Sequence, residues 1–425
     1  MATGVKISTF RAFKNRNYSL YFSGQSISLI GTWMQRTAIS WVIYTMTGSL
    51  LMLGVTAFAQ QIPSSLLSLY GGIVADRYNR YKILLITQTA SMVQAVLLAV
   101  LVLTKHYDVS TILALSVMLG VINAFDVPAR QPLVHELVNN KDDLPNAVAF
   151  NSSMVNLARI IGPSLSGIAL QGFGAGICFL LNALSFIAVL TSLLLMKLPK
   201  YVPRPEKKKL AAELTEGFTY IKNTPIIAMT LLILAMMSFF VLPYDTLLPA
   251  FAKEIYKGDA ATYGYVRSFI GVGAMGGALF LASLKKGADL KFILMVNSII
   301  LGIGLICFSH ISNFWGAMVF AVVSGFGTMS QTTICITIVQ VHMDKLMRGR
   351  VMGYVALAFF GMMPLGSLLL GAVSEKIGAP DAILCQGIAA IIISFAFSGF
   401  LRKDRLNVKE MKEFPEAEDI AGRRI

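Results

Sequence analysis

The sequence predicts an all-α membrane protein: twelve transmembrane helices in two pseudo-symmetric six-helix bundles. Three observations carry this. The 425 residues are 56% hydrophobic and only 14% charged, with a mean hydropathy of +0.68, whereas a soluble domain carries about 25% charged residues. The apolar residues run in long stretches between short polar loops. Local patterns recur at an offset of about 200 residues, as expected of a bundle built from two similar halves.

A spanning helix needs about 20 mostly apolar residues. Six segments qualify in the first half, at 18–45, 50–74, 83–104, 110–134, 147–172 and 175–196. Six more follow at 225–250, 261–284, 290–309, 313–340, 350–374 and 381–401. The chain therefore divides into an N-terminal bundle (1–202), a linker (203–222), a C-terminal bundle (223–402) and a tail (403–425). In the linker, Leu210, Leu214, Phe218 and Ile221 recur at helical spacing after a run of lysines. That pattern predicts a short amphipathic helix on the inner leaflet, its lysines near lipid headgroups.

Twelve spans put both termini on one side, and charge says which. Only Lys105, Lys253, Lys257 and Lys376 fall on the opposite side, and Arg36, Arg159 and Arg267 lie within spans. The rest of the 36 Lys and Arg sit on the side of the termini. Cytoplasmic loops carry such an excess, so both termini are expected in the cytoplasm. The net charge of +14 reflects this sidedness, and no nucleic-acid partner is expected. The polar, basic start has no cleavable signal pattern. Cys178, Cys307, Cys335 and Cys385 all lie in apolar segments, which predicts packing residues rather than a disulfide framework.

The internal repeat is specific. "TGSLLMLG" (47–54) and "KGDAATYG" (257–264) join the first two spans of each half with the same spacing to the last glycine. "RIIGPSLSG" (159–167) and "FGMMPLGS" (360–367) place Pro163 and Pro364 at matching points of the fifth and eleventh spans.

The loop after the second span reads "GGIVADRYNRYK", with Gly72, Asp76, Arg77, Arg80 and Lys82. Gly72 is expected to let two helices approach closely, and Asp76 to accept hydrogen bonds from a helix start, where the dipole favours an anion. This loop resembles the signature of the major facilitator superfamily and sits where that family carries it. The resemblance implies a latch that holds the outward-open state, with Asp76 at the start of the eleventh span near Arg350. The equivalent loop of the second half, "LASLKKGADLK", has no matching acid–arginine pair, so the latch is expected to be one-sided. More narrowly, "GTWMQRTAISWVIYTMTGSLLMLG" (31–54), "NAFDVPARQPLVHELV" (123–138) and "NAVAFNSSMVNLARIIGPSLSG" (146–167) resemble the efflux family that contains the enterobactin exporter, with macrolide-type pumps as wider relatives. The resemblance implies export of small amphipathic molecules from bacteria, across the inner membrane, in exchange for protons.

Charged residues inside spans are costly and mark functional candidates. Asp126 and Arg130 are four apart on one helix face. Asp126 reads either as a proton carrier or as a structural partner of Arg130, Arg36 or Arg159. Asp245, between Pro243 and Pro249 where the seventh span is expected to break, reads first as a structural cap and is the second proton-coupling candidate. Arg36 and Arg159, with Gln35, Asn151 and Gln331, are the candidates for a substrate cavity, and Arg267 reads as an interface residue. Trp33, Phe239, Phe240, Tyr244, Phe359, Phe360, Met362 and Met363 could line a greasy pocket, although stripes of this kind more often serve helix packing. No nucleophile–base constellation, metal set or cofactor motif is found, and no GxxxxGK loop for direct ATP use. The expected working unit is a monomer whose partners are a small-molecule substrate, protons and membrane lipids. A facilitator or importer of a small organic solute, or a non-transporting receptor or lipid-handling scaffold, are the alternatives.

Overall fold

The computed structural model describes residues 10–138, 140–197, 210–285 and 287–402. The tail and the linker lysines Lys207, Lys208 and Lys209 lie outside the described residues. Those described form helices and no strand. In chain order they are α1 (Arg16–Thr47), α2 (Leu50–Arg77), α3 (Arg80–Leu103), α4 (Val109–Glu136), α5 (Leu144–Phe173), α6 (Ala175–Leu195) and the linker helix α7 (Leu210–Asn223). The second six are α8 (Pro225–Ile255), α9 (Ala260–Ala282), α10 (Leu290–His310), α11 (Phe314–His342), α12 (Lys345–Ile377) and α13 (Ala379–Ala396). Eleven of these are long and apolar enough to cross a membrane. α1 is the twelfth span: it has 32 residues, and Gln25, Gln35 and Arg36, turned to the interior, lower its hydropathy.

The two spans of the second half with interior prolines depart from α geometry for a covalent reason. Proline lacks the N–H and crowds the carbonyl four residues back. α8 is therefore interrupted by a 3₁₀ turn at Leu242–Leu247, around Pro243, and ends in a π turn at Phe251–Ile255 after Pro249. α12 carries a π turn at Leu357–Gly361 just before Pro364. The loosened carbonyl of Phe360 accepts a hydrogen bond from Ser65 Oγ on α2. At the matching point of α5, Ser268 Oγ on α9 donates to the Ile160 carbonyl at 2.6 Å, three residues before Pro163.

Within the first six helices α1 packs on α5 and α6, α2 on α4, and α3 on α4 and α6. Within the second six α9 packs on α11, and α10 on α11 and α13. The two sets meet along α2–α12 and α5–α9. At both seams the repeated glycine is the point of contact. A Cβ on Gly54 would lie 2.5 Å from the Ser367 carbonyl and 3.0 Å from Gly371 Cα, and one on Gly264 would lie 2.5 Å from the Pro163 carbonyl and 3.0 Å from Gly167 Cα. Both crossings are at the end of the bundle away from the termini, called here the far end.

Further contacts across the seam gather there. Glu375 on α12 accepts from Leu51 N at 2.9 Å and Ser49 Oγ at 3.2 Å, at the start of α2. Tyr44 Oη bonds Glu254, and Gln171 bonds Asp259. At the terminal end two sets of ion pairs stand out among the described residues. Arg80 bridges Asp76 (3.1 Å) and Glu136 (2.6 Å), and Arg350 pairs with Glu216 of α7 (2.6 Å). α7 packs its Gly217 against Arg350 and Tyr354 of α12, while Phe218 on the same helix is exposed.

One expectation is corrected. The close approach at the end of α2 belongs to Gly71, not Gly72: a Cβ on Gly71 would lie 1.9 Å from the Ala124 carbonyl of α4, whereas one on Gly72 would meet nothing within 4 Å. Adjacent residues are about 100° apart around a helix, and a Gly-Gly pair in sequence leaves that choice open.

Candidate functional site

Two cavities adjoin, one of 380 Å³ walled by helices of the first half and by Phe360, the other of 310 Å³ walled by both halves. Trp33, Arg36, Gln60, Gln61 and Phe360 are in the walls of both. The larger reaches toward the terminal end, to Tyr21, Arg130 and Val134. The smaller rises toward the far end, to Leu53, Pro163 and Tyr263, where the glycine crossings shut it. The space is thus closed at the far end and extends toward the termini.

Where they join, three arginines from three helices gather on one aromatic ring. The guanidinium carbons of Arg36 (α1), Arg159 (α5) and Arg267 (α9) stand 5.6, 5.4 and 5.9 Å from the centroid of Trp33. A cation over a tryptophan face is attracted to the ring quadrupole by about 0.5–2 kcal/mol. That offsets only part of the repulsion among three like charges. One carboxylate adjoins the group: Asp245, in the 3₁₀ turn of α8, faces Arg267 with Oδ2–Nη2 at 3.5 Å. Arg267 also donates to Tyr263 Oη (3.3 Å) and, across the seam, to Thr37 Oγ1 (3.4 Å). Among the described residues neither Arg36 nor Arg159 pairs with an acid, and Arg159 Nε is buried without a hydrogen-bond partner. The cluster carries two positive charges in excess. Tyr244, Phe359, Phe360 and Met363 complete an aromatic and thioether wall beside it. Such a place attracts an anion with an apolar body.

The other charged pair in the wall is built differently. Asp126 on α4 is almost fully buried. Oδ1 accepts from Thr87 Oγ1 (2.9 Å) and Gln88 Nε2 (2.7 Å) of α3, and Oδ2 faces Arg130 Nε at 3.3 Å. Of the uncharged candidates Asn151 lies in the larger cavity, and its Oδ1 has no partner among the described residues. Gln35 and Gln331 do not line either cavity. Gln35 is buried between Gln94 (2.9 Å) and Asn182 (2.8 Å), and Gln331 is buried against Cys335. A buried amide must find partners, and packing neighbours supply them here. Two members of the cluster were undervalued by sequence: Arg267, read as an interface residue, and Trp33, left between pocket and packing. The available signal was the excess of intramembrane arginine over acid, which demanded a shared arrangement.

A twelve-span bundle with a cavity shut at one end and lined by buried charges has the architecture of an integral membrane transporter. The chain belongs to the transmembrane secretion effector family, whose pattern matches residues 7–421. It is 27% identical over 398 residues to the staphyloferrin A transporter of Staphylococcus aureus, covering 92% of this chain and 98% of that one. It is 26% identical over 377 residues to the enterobactin exporter EntS of Salmonella typhi (88% and 89%). It is 20% identical over 365 residues to the multidrug efflux pump Tap of Mycolicibacterium fortuitum (84% and 88%). Of solved structures, the nucleoside transporter NupG matches with a TM-score of 0.74 at 14% identity, over 91% of this chain and 99% of that one. The POT family transporter PepTSo matches with 0.70 at 13%, over 92% and 99%. These two likenesses bear on the fold alone.

Proposed function

We propose that this protein exports anionic amphiphiles of siderophore-like chemistry across a bacterial inner membrane, by alternating access and in exchange for protons. The observation that carries the reading is the group of three guanidiniums on Trp33 facing a single carboxylate. Leaving charge unpaired in a low-dielectric interior costs several kcal/mol, and an anion bound there relieves it, with its apolar part against Trp33 and Phe360. The names of the relatives, a staphyloferrin A transporter and an enterobactin exporter, agree with such a cargo. With both termini in the cytoplasm, the cavity is open to the cytoplasm and shut outside, the state that loads an exported cargo. The halves 1–202 and 223–402 then rock about the α2–α12 and α5–α9 seams, with one chain as the working unit.

Asp126 and Asp245 are the acids in the cavity walls among the described residues, so an exchanged proton is assigned to one of them. Reconstituted protein should extrude an amphipathic anion against a gradient, with Arg36→Gln and Arg159→Gln each weakening its binding about tenfold. A wild type that prefers a matched cation, or two variants that bind the anion normally, would sink the reading. Asp126→Asn should stop uphill export while leaving energy-independent exchange. If it still concentrates cargo, the proton is not carried there.

A further inference from the structure

We infer that Asp245 is a built-in stand-in for cargo: it occupies Arg267 while the site is empty, and a cargo bearing a second acidic group displaces it. This rests on the reading that the cargo is anionic. Nothing in that reading distinguishes Arg267 from the other two arginines; the geometry does.

Among the described residues Arg36 and Arg159 make no direct ion pair, so a first anionic group finds them ready. Arg267 is already engaged, but loosely. Its contact with Asp245 is a single one at 3.5 Å, against about 2.7–2.9 Å for a strong charge-assisted bond. Its contacts with Tyr263 and Thr37, at 3.3 and 3.4 Å, are long as well. Asp126 is the internal control: with partners at 2.7, 2.9 and 3.3 Å and a side chain only 4% exposed, it is locked. The Asp245 side chain is 36% exposed toward the cavity, while Arg267 behind it is 13% exposed. Asp245 also sits in the 3₁₀ turn between Pro243 and Pro249, where a small backbone rotation moves the carboxylate without unwinding an α-helical turn.

The charged and titratable groups around Asp245 are few. α9 brings Arg267 and Tyr263, α5 brings Arg159, α1 brings Arg36, and Tyr244 is its own neighbour. α2, α11 and α12 bring only uncharged residues to this wall, among them Gln60, Thr328 and Phe359. Displacement therefore involves one acid and three cations. A monovalent anion settles on Arg36 and Arg159 and leaves the Asp245–Arg267 pair intact. A divalent anion reaches Arg267 as well and must compete with Asp245. Arg267 is thus the residue that sets preference by cargo valence, and Asp245 tempers that affinity so that cargo can leave. A proton on Asp245 frees Arg267 just as displacement does, so proton and divalent cargo favour each other at this pair.

Fixed-charge aromatic probes test this without titrating themselves. Binding of benzenesulfonate and 1,3-benzenedisulfonate to purified full-length protein is followed by tryptophan fluorescence. The wild type should bind the disulfonate more tightly as pH falls from about 7.5 to about 5.5, and the monosulfonate without comparable change. Asp245→Asn should tighten disulfonate binding about tenfold and abolish its pH dependence. Arg267→Gln should weaken the disulfonate by a similar factor and the monosulfonate by clearly less, with Arg267→Lys partly restoring disulfonate binding. Unchanged or weaker disulfonate binding in Asp245→Asn overturns the inference. If that variant does not fold, a wild-type affinity that is flat with pH overturns it equally. Failure of the wild type to bind either sulfonate would instead remove the anionic-cargo reading itself.

Discussion

The two ends of the α2–α12 pair are held by different physics. At the far end the helices touch backbone to backbone at Gly54 and Gly371, and the carboxylate of Glu375 reaches across the seam to the start of α2. At the terminal end the charges are more numerous, yet Asp76 and Glu136 meet Arg80 within one half and Arg350 meets Glu216 of the linker helix. Close packing without side chains is hard to exchange for anything else, because interiors are near crystal density. Exposed ion pairs are worth little and re-form easily with new partners. The far end is therefore where this conformation is stabilised. We propose that the loop of acids and arginines near the termini exchanges partners in the opposite conformation, where the family resemblance places Asp76 at the start of α12.

That contrast can be broken by substitution. The largest effect is expected from Gly371→Leu. A Cβ there would stand 2.9 Å from Gly54 Cα and 3.0 Å from the Leu50 carbonyl. Overpacking of this kind costs about 1–3 kcal/mol or more, and the relief is to part the two halves at the far end. Transport should be lost while far-end cysteine reporters become more reactive, and Gly167→Leu should act alike on the α5–α9 seam. Normal transport by either variant would mean that the far end does not close in the cycle.

Asp76→Asn should follow, with the opposite sign. Its i,i+4 pair with Arg80 in this conformation is worth a few tenths of a kcal/mol. In the opposite conformation, loss of a partner at a helix start costs about 1–3 kcal/mol. The balance should move toward the conformation seen here about tenfold or more, slowing transport without unfolding, and far-end reporters should become less reactive. Unchanged reactivity would count against the latch.

Glu375→Ala should move the balance the other way, by about 1 kcal/mol as for a helix cap, which is about fivefold. Combined with Asp76→Asn it should bring reporter reactivity back toward wild type. The smallest effect is expected from Arg350→Gln, whose pair with the half-exposed Glu216 is worth about 0.5 kcal/mol. A change as large as that of Asp76→Asn would show that the latch runs through the guanidinium of Arg350 rather than through the helix start.

Much of the architecture was legible because a bilayer imposes its own arithmetic. Each span must be about 20 apolar residues long, every backbone polar group in it must be satisfied locally, and basic residues must sort to one side. These are properties of contiguous segments, so they can be read along the chain. The repeat was legible for a related reason: Gly54 with Gly264, and Pro163 with Pro364, are local marks, and each pair does the same work at its seam, one admitting a neighbouring backbone and the other loosening carbonyls that Ser268 and Ser65 then reach.

The sequence by itself thus determined twelve spans and the twofold plan, along with an excess of buried arginine over acid. Only the tertiary structure decided how that excess is disposed. Arg36, Arg159 and Arg267 are each more than 100 residues from the next, and nothing local says that all three meet Trp33, that Asp245 faces the third of them, or that Asp126 is consumed by Thr87, Gln88 and Arg130. The same holds for Gly71 over Gly72 and for Gln35 and Gln331, which packing claims for itself. Composition states the charge that must be balanced, but which partner balances it depends on helix rotation and on side chains meeting within a few ångströms, which the folded bundle alone sets.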